Sequence, residues 1–311
     1  MKFVKPKFWD KKKPTLIAYF LMPITWVFLL ICKFKKNKKS KDENIKTICV
    51  GNIYLGGTGK TPISIMINEI LKKLKFKTVF IKKYYADQFD EQKLLSYNGK
   101  LLCYKNRINA LNQAIKKKND IAIFDDGLQD YSINYHLSFV CFNTQNWIGN
   151  GLVLPSGPLR EKLINIKNYD AIFLNGNGEN TAKVKRKIRY YKRTIKIFDA
   201  QYFPSNIDQL NKKENYLVFS GIGSPNTFLT MLKKNKIKIK EFLIYPDHYS
   251  YNNKDIKNIT NQAKNIDAKI LTTEKDYNRL SLVNKKNINV LKVKLKIKNE
   301  KKLIQFLKDR I

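Results

Sequence analysis

The chain has few residues of the kinds that carry metal or redox chemistry. Its 311 residues include four cysteines, at positions 32, 49, 103 and 141, and two histidines, His136 and His248. No two cysteines have the C-x-x-C spacing of a zinc or redox motif, and Cys49 and Cys141 lie in apolar runs where a thiol behaves as a small hydrophobic group. The sequence therefore predicts a reduced, cytosolic compartment and excludes both a disulfide framework and a zinc site.

Arginine is scarce, although the chain is strongly basic. The formal net charge is +36, from 61 Lys and Arg residues against 25 Asp and Glu residues, and lysine is spread along the whole chain. No basic stripe interleaved with aromatic residues and no nucleic-acid motif is present, so we expect no nucleic-acid partner. A basic nucleic-acid-binding protein stays the least favoured hypothesis, because the charge suits an anionic membrane or an acidic substrate equally well.

Residues 16–32 form the one long apolar run, with lysine-rich stretches at 2–13 and 33–41 on either side. The run holds seventeen residues, the lower limit for spanning a bilayer, and Pro23 interrupts it. No small-residue cleavage site follows it. We expect an N-terminal apolar, membrane-associated helix that docks from the cytosolic side, with a buried core helix and a full span as alternatives.

Residues 48–62, ICVGNIYLGGTGKTP, read as a strand, a glycine-rich turn and the start of a helix. Backbone N–H groups converge on an anion in such a loop, so Lys60 is predicted to reach the β- and γ-phosphates and the Thr61 hydroxyl to ligate Mg²⁺. Tyr54 stands where the pattern G-x-x-x-x-G-K-[ST] has a glycine. The alternative is a simple tight turn. The predicted nucleotide-binding residues of the loop are Gly56, Gly57, Thr58, Gly59, Lys60 and Thr61.

The pattern of strands and helices predicts an α/β fold. Between 46 and 201, nearly continuous apolar strands alternate with helices, which favours a P-loop NTPase-like, mainly parallel sheet with helices on both faces. A second, smaller α/β domain begins near residue 206. We therefore divide the chain into an N-terminal membrane-associated segment (1–45), a P-loop domain (46–205) and a C-terminal α/β domain (206–311).

Four further motifs carry polar groups that could serve chemistry. Asp125 and Asp126 end an apolar strand, as in the Walker B arrangement for Mg²⁺, although adjacent acids often only cap a turn. Arg160 ends the rigid stretch 154–161, LPSGPLRE, where its planar fork suits phosphate, or the stretch is a surface turn. His248, in 245–248, is by itself more often structural than catalytic. The stretch 273–276, TEKD, suits a helix start, with capping as the alternative role.

Together, GNIYLGGTGKTP, DDGLQ, LPSGPLRE, FSGIGSPNTF, YPDHYSY and TEKD resemble, in order and spacing, the tetraacyldisaccharide 4'-kinase family of Gram-negative bacteria. The resemblance covers nearly the whole chain. It implies ATP-dependent phosphorylation of the 4'-hydroxyl of a lipid A disaccharide 1-phosphate precursor at the cytoplasmic face of the inner membrane.

The resemblance also assigns roles residue by residue. It implies Asp126 and Glu161 as metal ligands with Thr61, and Asp125 and Gln129 in the same shell beside ATP. Lys60 and Arg160 would neutralise charge during transfer. Asp90, within Phe89-Asp90-Glu91-Gln92, matches the aspartate of the family's G-D-E-P, which pairs with the histidine of D-H, here His248.

The chain departs from the family pattern in three places. Residues 81–85, IKKYY, replace S-R-G-Y-G, Gln92 replaces a proline, and Asp130 replaces the histidine that often follows D-D-G-x-Q. These changes concern the acceptor side, whereas the ATP side is well kept.

One alternative of another class is a membrane-associated P-loop ATPase with a positioning or regulatory role. Such proteins usually carry a lysine before the two glycines, where this chain has Leu55. The oligomeric state and the acyl-chain preference are not predicted.

Overall fold

The computed structural model describes residues 5–34, 44–176 and 181–311. Of the predicted lysine-rich flanks, residues 2–4 and 35–41 lie outside this part of the chain. The α-helices are α1 (Leu16–Phe20), α2 (Met22–Phe34), α3 (Lys60–Lys73), α4 (Phe89–Asn98), α5 (Arg107–Lys116), α6 (Thr181–Tyr191), α7 (Pro225–Lys234), α8 (Asn253–Asn265), α9 (Glu274–Arg279) and α10 (Glu300–Lys308). The strands are β1 (Lys46–Gly51), β2 (Thr78–Lys83), β3 (Leu101–Tyr104), β4 (Ile121–Asp125), β5 (Leu137–Asn143), β6 (Ala171–Asn175), β7 (Lys196–Pro204), β8 (Asn215–Ser220), β9 (Lys238–Ile244), β10 (Lys269–Thr273), β11 (Ile288–Leu291) and β12 (Val293–Ile297). Short 3-10 helices cover Lys7–Asp10, Ala86–Gln88, Leu163–Asn168, Ile207–Gln209 and Val283–Lys285.

The chain divides into two compact units. The first comprises residues 1–85, 94–201 and 297–311, and the second comprises residues 86–93 and 202–296. The division at 45/46 and 205/206 made from the sequence stays a prediction. In the structure, residues 86–93 group with the second unit, so Asp90 and His248 belong to the same unit.

The first unit is built on a parallel sheet with the strand order β7-β6-β5-β1-β4-β2-β3. In the register of β1 and β4, Val50 lies opposite Asp125. Because both strands run in the same direction, the loops that follow them leave from the same edge of the sheet. This edge, at the carboxyl ends of the strands, is where parallel α/β sheets bind ligands.

Both faces of this sheet are covered, which explains the nearly continuous apolar strands. Consecutive side chains of a strand, such as those of Ile48 and Cys49, point to opposite faces of the sheet. Both are fully buried, so both faces are covered. Helices α5 and α6 pack on the face that contains Cys49. On the other face, Phe306 of α10 packs edge-on against Phe139 of β5. The predicted mainly parallel sheet with helices on both faces is confirmed.

The N-terminal apolar run forms two helices instead of the single predicted one. Helix α1 ends at Phe20, and Leu21 is its C-terminal cap. Helix α2 begins at Met22, with Pro23 in its first turn, where a missing N–H group is tolerated. Phe28 and Leu29 pack against the core of the first unit. Of the described helices, none is both long and apolar enough to cross a bilayer. Membrane association of this segment stays a prediction.

The second unit contains a four-stranded parallel sheet with the order β11-β10-β8-β9. Alternate residues of β8 enter opposite cores: Tyr216 and Val218 pack on one face, and Leu217 and Phe219 on the other. The unit is therefore an α/β sandwich, as expected. The start of helix α9 was predicted by the stretch 273–276, whereas strand β11 was not predicted.

Candidate active site

The glycine-rich loop connects β1 to α3 at the carboxyl edge of the first sheet. Gly59 is the N-terminal cap of α3 and has a left-handed backbone with φ of 83°, a conformation that glycine adopts without steric strain. Lys60 and Thr61 are the first two residues of the helix. Free N–H groups and the positive end of the helix dipole therefore converge where a phosphate would lie.

Two asparagines that the sequence reading missed hold this loop in place. The side-chain amide of Asn52 donates to Gly56 O at 3.2 Å and to Thr58 Oγ1 at 3.0 Å. The side-chain amide of Asn175 donates to the carbonyl of Thr58. Asn52 follows β1 and Asn175 ends β6. A buried amide at the end of an apolar strand is a signal that could have identified both.

Tyr54, which replaces a glycine of the usual pattern, is an internal support of the loop. Its side chain is buried, and its hydroxyl donates to Asp10 Oδ1 at 2.9 Å. A Cβ atom added to Gly56 would lie 3.1 Å from the Tyr54 ring. The tyrosine ring thus occupies space beside the loop, and Gly56 permits this close approach.

Asp125 is a fully buried acceptor of three hydrogen bonds. Its carboxylate receives the hydroxyl of Thr61 at 3.1 Å, the hydroxyl of Ser64 at 3.0 Å and the ammonium group of Lys82 at 2.8 Å. The Thr61 bond orients the hydroxyl that was predicted to ligate Mg²⁺. Asp125 is therefore placed to support the nucleotide site through Thr61, and its oxygens are already engaged by protein donors.

Asp126 lies just beyond β4 with a left-handed backbone, φ of 61°, which is uncommon for a residue with a side chain. The Arg160 guanidinium donates to both oxygens of its carboxylate, from Nη1 to Oδ1 at 2.8 Å and from Nη2 to Oδ2 at 3.3 Å. Lys60 Nζ lies 3.5 Å from Oδ2. Burial raises the pKa of Asp126, but the charges of Lys60 and Arg160 outweigh it and hold the pKa well below its usual range. The structure thus brings together three predicted site residues.

Gln129 connects this ion pair to Glu161. Its Oε1 accepts from Arg160 Nη1 at 3.0 Å, and its Nε2 donates to Glu161 Oε1 at 3.2 Å. Glu161 also accepts from Tyr169 Oη at 2.5 Å and from Asn165 Nδ2 at 2.8 Å. The predicted residues Asp126, Gln129, Arg160 and Glu161 therefore form one continuous polar network.

The oxygen donors of this network fit Mg²⁺. In the described part of the chain, no group of three or more His, Cys, Asp and Glu side chains could hold a metal ion. Mg²⁺ is usually bound by one or two carboxylates together with waters and substrate phosphates. Thr61, Asp126 and Glu161 offer one hydroxyl and two carboxylates, which is a donor set of this kind.

Arg107 supports the same turn and was not singled out from the sequence. Its side chain donates to the carbonyl of Asp126 at 2.5 Å and to Asp130 Oδ2 at 3.1 Å. Asp130, which stands where the family often has a histidine, is therefore engaged in an ion pair. The signal was available, since arginine is rare in this lysine-rich chain.

The second unit brings Asp90 and His248 into contact although they lie 158 positions apart in the sequence. His248 Nδ1 is 3.3 Å from Asp90 Oδ1, and the Asp90 side chain is only 2% exposed. His248 has a left-handed backbone with φ of 57°. Burial opposes the charged form of His248, but hydrogen bonding to Asp90 and the charge of Asp247 raise its pKa above the ordinary value.

The stretch 273–276 begins helix α9, as predicted, and it also has the capping role that was the alternative. Thr273 caps α9, accepting a hydrogen bond from the N–H of Asp276 at 3.2 Å. The helix also presents Arg279, which donates to Asp90 Oδ2 at 2.7 Å. Sequence reading missed Arg279. The other histidine, His136, accepts from the backbone N–H of Thr47 at 3.2 Å.

Comparisons with known proteins agree with the motifs. The profile of the Tetraacyldisaccharide-1-P 4'-kinase family matches residues 17–311. A Tetraacyldisaccharide 4'-kinase of Pelagibacter ubique (strain HTCC1062) is 54% identical over 303 residues, which cover 97% of this chain and 96% of the relative. That of Rickettsia bellii (strain OSU 85-389) is 33% identical over 331 residues, covering 99% and 100% of the two chains.

A solved structure supports the fold. The crystal structure of the "apo" form of LpxK from Aquifex aeolicus in complex with ATP matches with a TM-score of 0.70, covering 94% of this chain and 99% of that chain at 22% identity. The predicted family resemblance is confirmed: this chain belongs to the Tetraacyldisaccharide-1-P 4'-kinase family.

Proposed function

We propose that this protein transfers the γ-phosphoryl group of ATP to the 4'-hydroxyl of a tetraacyldisaccharide 1-phosphate, a step of lipid A biosynthesis. Family membership supports the reaction class. The observation that carries the proposal is the contact between Asp90 and His248 at 3.3 Å. Phosphoryl transfer to an alcohol releases the proton of the acceptor hydroxyl, and a buried carboxylate paired with an imidazole is suited to accept that proton.

On the donor side, the phosphate loop binds and orients ATP. The N–H groups at the start of α3 and the Lys60 ammonium hold the β- and γ-phosphates, and Arg160 supplies a planar fork for developing charge. Thr61, Asp126 and Glu161 would hold Mg²⁺, which supplies charge neutralisation when bound. Arg160 and Lys60 face Asp126 in the present structure, so ATP binding would redirect these two cations from the carboxylate to the phosphates.

On the acceptor side, Asp90 is the proposed general base. As the 4'-oxygen bonds to the γ-phosphorus and the bond to the ADP oxygen breaks, the hydroxyl proton passes to the Asp90 carboxylate. His248 holds that carboxylate through Nδ1. Base catalysis of this kind contributes about 10² to 10⁴ in rate, and positioning and charge stabilisation supply the remainder.

We further propose that the protein acts at the cytoplasmic face of the inner membrane, where a tetraacylated substrate would reside. The support is an exposed apolar surface on α1 and α2, which we call the N-terminal apolar surface. It consists of Leu16, Ile17, Tyr19, Phe20, Ile24, Trp26, Val27, Leu30, Ile31 and Phe34, all about half exposed or more. Exposed apolar side chains along a helix are typical of a helix that docks on a membrane surface.

The test uses the purified full chain with Mg²⁺, ATP and a tetraacyldisaccharide 1-phosphate in mixed micelles. Mass spectrometry of the lipid should show the addition of one phosphoryl group, and Asp90→Asn should abolish it while ATP binding persists. Lys269→Gln, a change at an exposed lysine 3.0 Å from Glu214, is the matched control and should behave as the wild type. Release of ADP without any phosphorylated lipid from folded wild-type protein would overturn the proposal in favour of an ATPase.

A further inference from the structure

Arg279 joins the proposed base to a buried anchor within the second unit. Its Nη2 donates to Asp90 Oδ2 at 2.7 Å, while its Nη1 donates to Asp276 Oδ1 at 3.0 Å and to Gly221 O at 2.6 Å. The Arg279 side chain is 9% exposed and the Asp276 side chain is fully buried. The guanidinium group thus binds Asp90 through Nη2 and the buried carboxylate of Asp276 through Nη1.

Several independent hydrogen bonds fix the carboxylate of Asp276 in place. Asp276 accepts from the N–H of Gly221 at 2.9 Å, from Tyr251 Oη at 3.0 Å and from Thr273 Oγ1 at 2.6 Å. With Arg279, its carboxylate therefore has four donors, and it cannot rotate without breaking them. This fixes the plane of the Arg279 fork.

The Nη2 atom of Arg279 helps to set the orientation of the Asp90 carboxylate. Arg279 holds Oδ2, and His248 Nδ1 faces Oδ1 at 3.3 Å. With a separate partner on each oxygen, the carboxylate has one preferred orientation. Arg279 Nη2 also lies 3.5 Å from His248 Nδ1, so the guanidinium charge is close to both members of the pair.

We propose that Arg279 is a positioning residue for phosphoryl transfer, which orients Asp90 toward the acceptor hydroxyl and keeps it ionised. The inference rests on the proposed function, because it assigns Arg279 to the same base. A lysine has a point charge and lacks the planar fork, so it could not bridge Asp90 and Asp276 in this geometry.

The use of arginine in this chain agrees with a geometric role. The sequence holds seven arginines among its 61 basic residues. Four of them, at positions 186, 189, 193 and 310, are exposed. The remaining three, Arg107, Arg160 and Arg279, each bind an aspartate. The three arginines that are not exposed thus each meet a carboxylate.

The charges around the pair fix the sign of the expected pH effect. Asp90 faces His248, Arg279 and Lys275, and His248 faces Asp247 and Glu91 as well as Asp90. Burial raises the pKa of Asp90, but its hydrogen bond to His248 and the charges of Arg279 and Lys275 outweigh burial and lower it. Removing the Arg279 charge favours protonation of Asp90 and of His248 alike.

The experiment compares Arg279→Gln and Arg279→Lys with the wild type in the lipid kinase assay across a pH series. We expect Arg279→Gln to lower kcat about 10²-fold, the effect of a misplaced catalytic group, and to move the acidic limb of the pH profile to higher pH. Arg279→Lys restores the charge, so its acidic limb should return toward that of the wild type while kcat stays reduced. The affinity for ATP should be unchanged in both variants.

Folding and specificity are controlled separately. Circular dichroism and ATP binding establish that each variant is folded, and millimolar guanidinium should partly restore the kcat of Arg279→Ala by refilling the vacated space. Arg310→Gln, at an exposed arginine, should leave kcat and the pH profile unchanged. If the folded Arg279 variants keep the wild-type kcat and an unmoved acidic limb, the positioning role of Arg279 is overturned. The proposed function still stands in that case, provided that the wild type turns over the lipid and Asp90→Asn is inactive. If the wild type itself made no product, the proposed function would fail, and the positioning role would fail with it.

Discussion

The Nζ atom of Lys82 lies 2.8 Å from Oδ2 of Asp125, and both side chains are almost fully buried, at 2% and 0% exposure. Lys82 stands in the stretch 81–85, where the chain departs from the family's S-R-G-Y-G. The position nevertheless keeps a cation, and its partner is the carboxylate that also receives the Thr61 hydroxyl. The departure in sequence therefore preserves a charge that the buried aspartate requires.

This pair predicts a strong effect of Lys82→Met on stability. The substitution keeps most of the side-chain volume but leaves the Asp125 charge buried with only hydroxyl donors. Breaking a buried pair from one side typically lowers the free energy of unfolding by about 3–5 kcal/mol. Urea unfolding followed by circular dichroism measures the loss.

The matched control is Lys269→Met, which removes an ammonium group 3.0 Å from Glu214 where both side chains are well exposed. Exposed ion pairs contribute little to the free energy of unfolding, so this variant should have nearly the same urea midpoint as the wild type. Equal losses from the two substitutions would show that the Lys82–Asp125 pair has no special role.

The raised pKa of His248 predicts a pH-dependent contribution to stability. The ordinary pKa of the imidazole is 6.5, and the hydrogen bond to Asp90 and the charge of Asp247 raise it in the folded state against the effect of burial. A raised pKa means that the folded state binds the proton more tightly than the unfolded chain. The resulting stability is fully present below pH 6.5 and is lost as the pH rises through the folded-state pKa.

Accordingly, His248→Gln should lower the urea midpoint more at about pH 6 than at about pH 9. Asp90→Asn removes the main partner, so the same substitution in the Asp90→Asn background should show a smaller pH dependence. A difference between wild type and His248→Gln that stays constant over the whole pH series would contradict the assignment.

The N-terminal apolar surface predicts membrane binding that a single charge weakens. Leu16 and Leu282 are similarly exposed, at 87% and 85%, but only Leu16 belongs to that surface. Leu16→Glu should weaken cosedimentation with phosphatidylglycerol vesicles by roughly tenfold or more, since burying one leucine is worth about 1.5–3 kcal/mol. Leu282→Glu introduces the same charge and should leave vesicle binding unchanged; equal weakening by both would argue for a purely electrostatic attraction.

Elements with strong local signals were predicted well from the sequence. β1, β4, β5 and β6 are buried on both faces, so their apolar runs stand out without any knowledge of their partners. The phosphate loop was also visible, because its function depends on residues that follow one another. By contrast, α4 (Phe89–Asn98) has no clear apolar stripe, and it was not predicted.

The partners of the supporting residues could not be predicted from local patterns, even where the residues themselves carried a signal. Asn175 reaches Thr58 across 117 positions, and Arg279 reaches Asp90 across 189. Such contacts are decided by the packing of sheets and helices, which one sequence does not reveal. For the same reason, the hydrogen bonds that Asp125 accepts from Thr61, Ser64 and Lys82 could not be predicted, and its place beside ATP stays a prediction.

The fork between Arg160 and Asp126 gives the last prediction, for Arg160→Lys. Lysine keeps the positive charge but cannot hold both carboxylate oxygens and Gln129 at once, as Arg160 does at 2.8, 3.3 and 3.0 Å. We expect kcat for lipid phosphorylation to fall by about tenfold to 10²-fold. The reason is that lysine lacks the planar guanidinium group, which would hold the charge of the transferred phosphoryl group in a fixed geometry. Steady-state kinetics at saturating Mg-ATP measure the change, and Arg310→Lys, the same substitution at an exposed arginine, should leave kcat unaltered. Full activity of Arg160→Lys would mean that charge alone suffices at this position, and the planar geometry of the arginine would then have no part in catalysis.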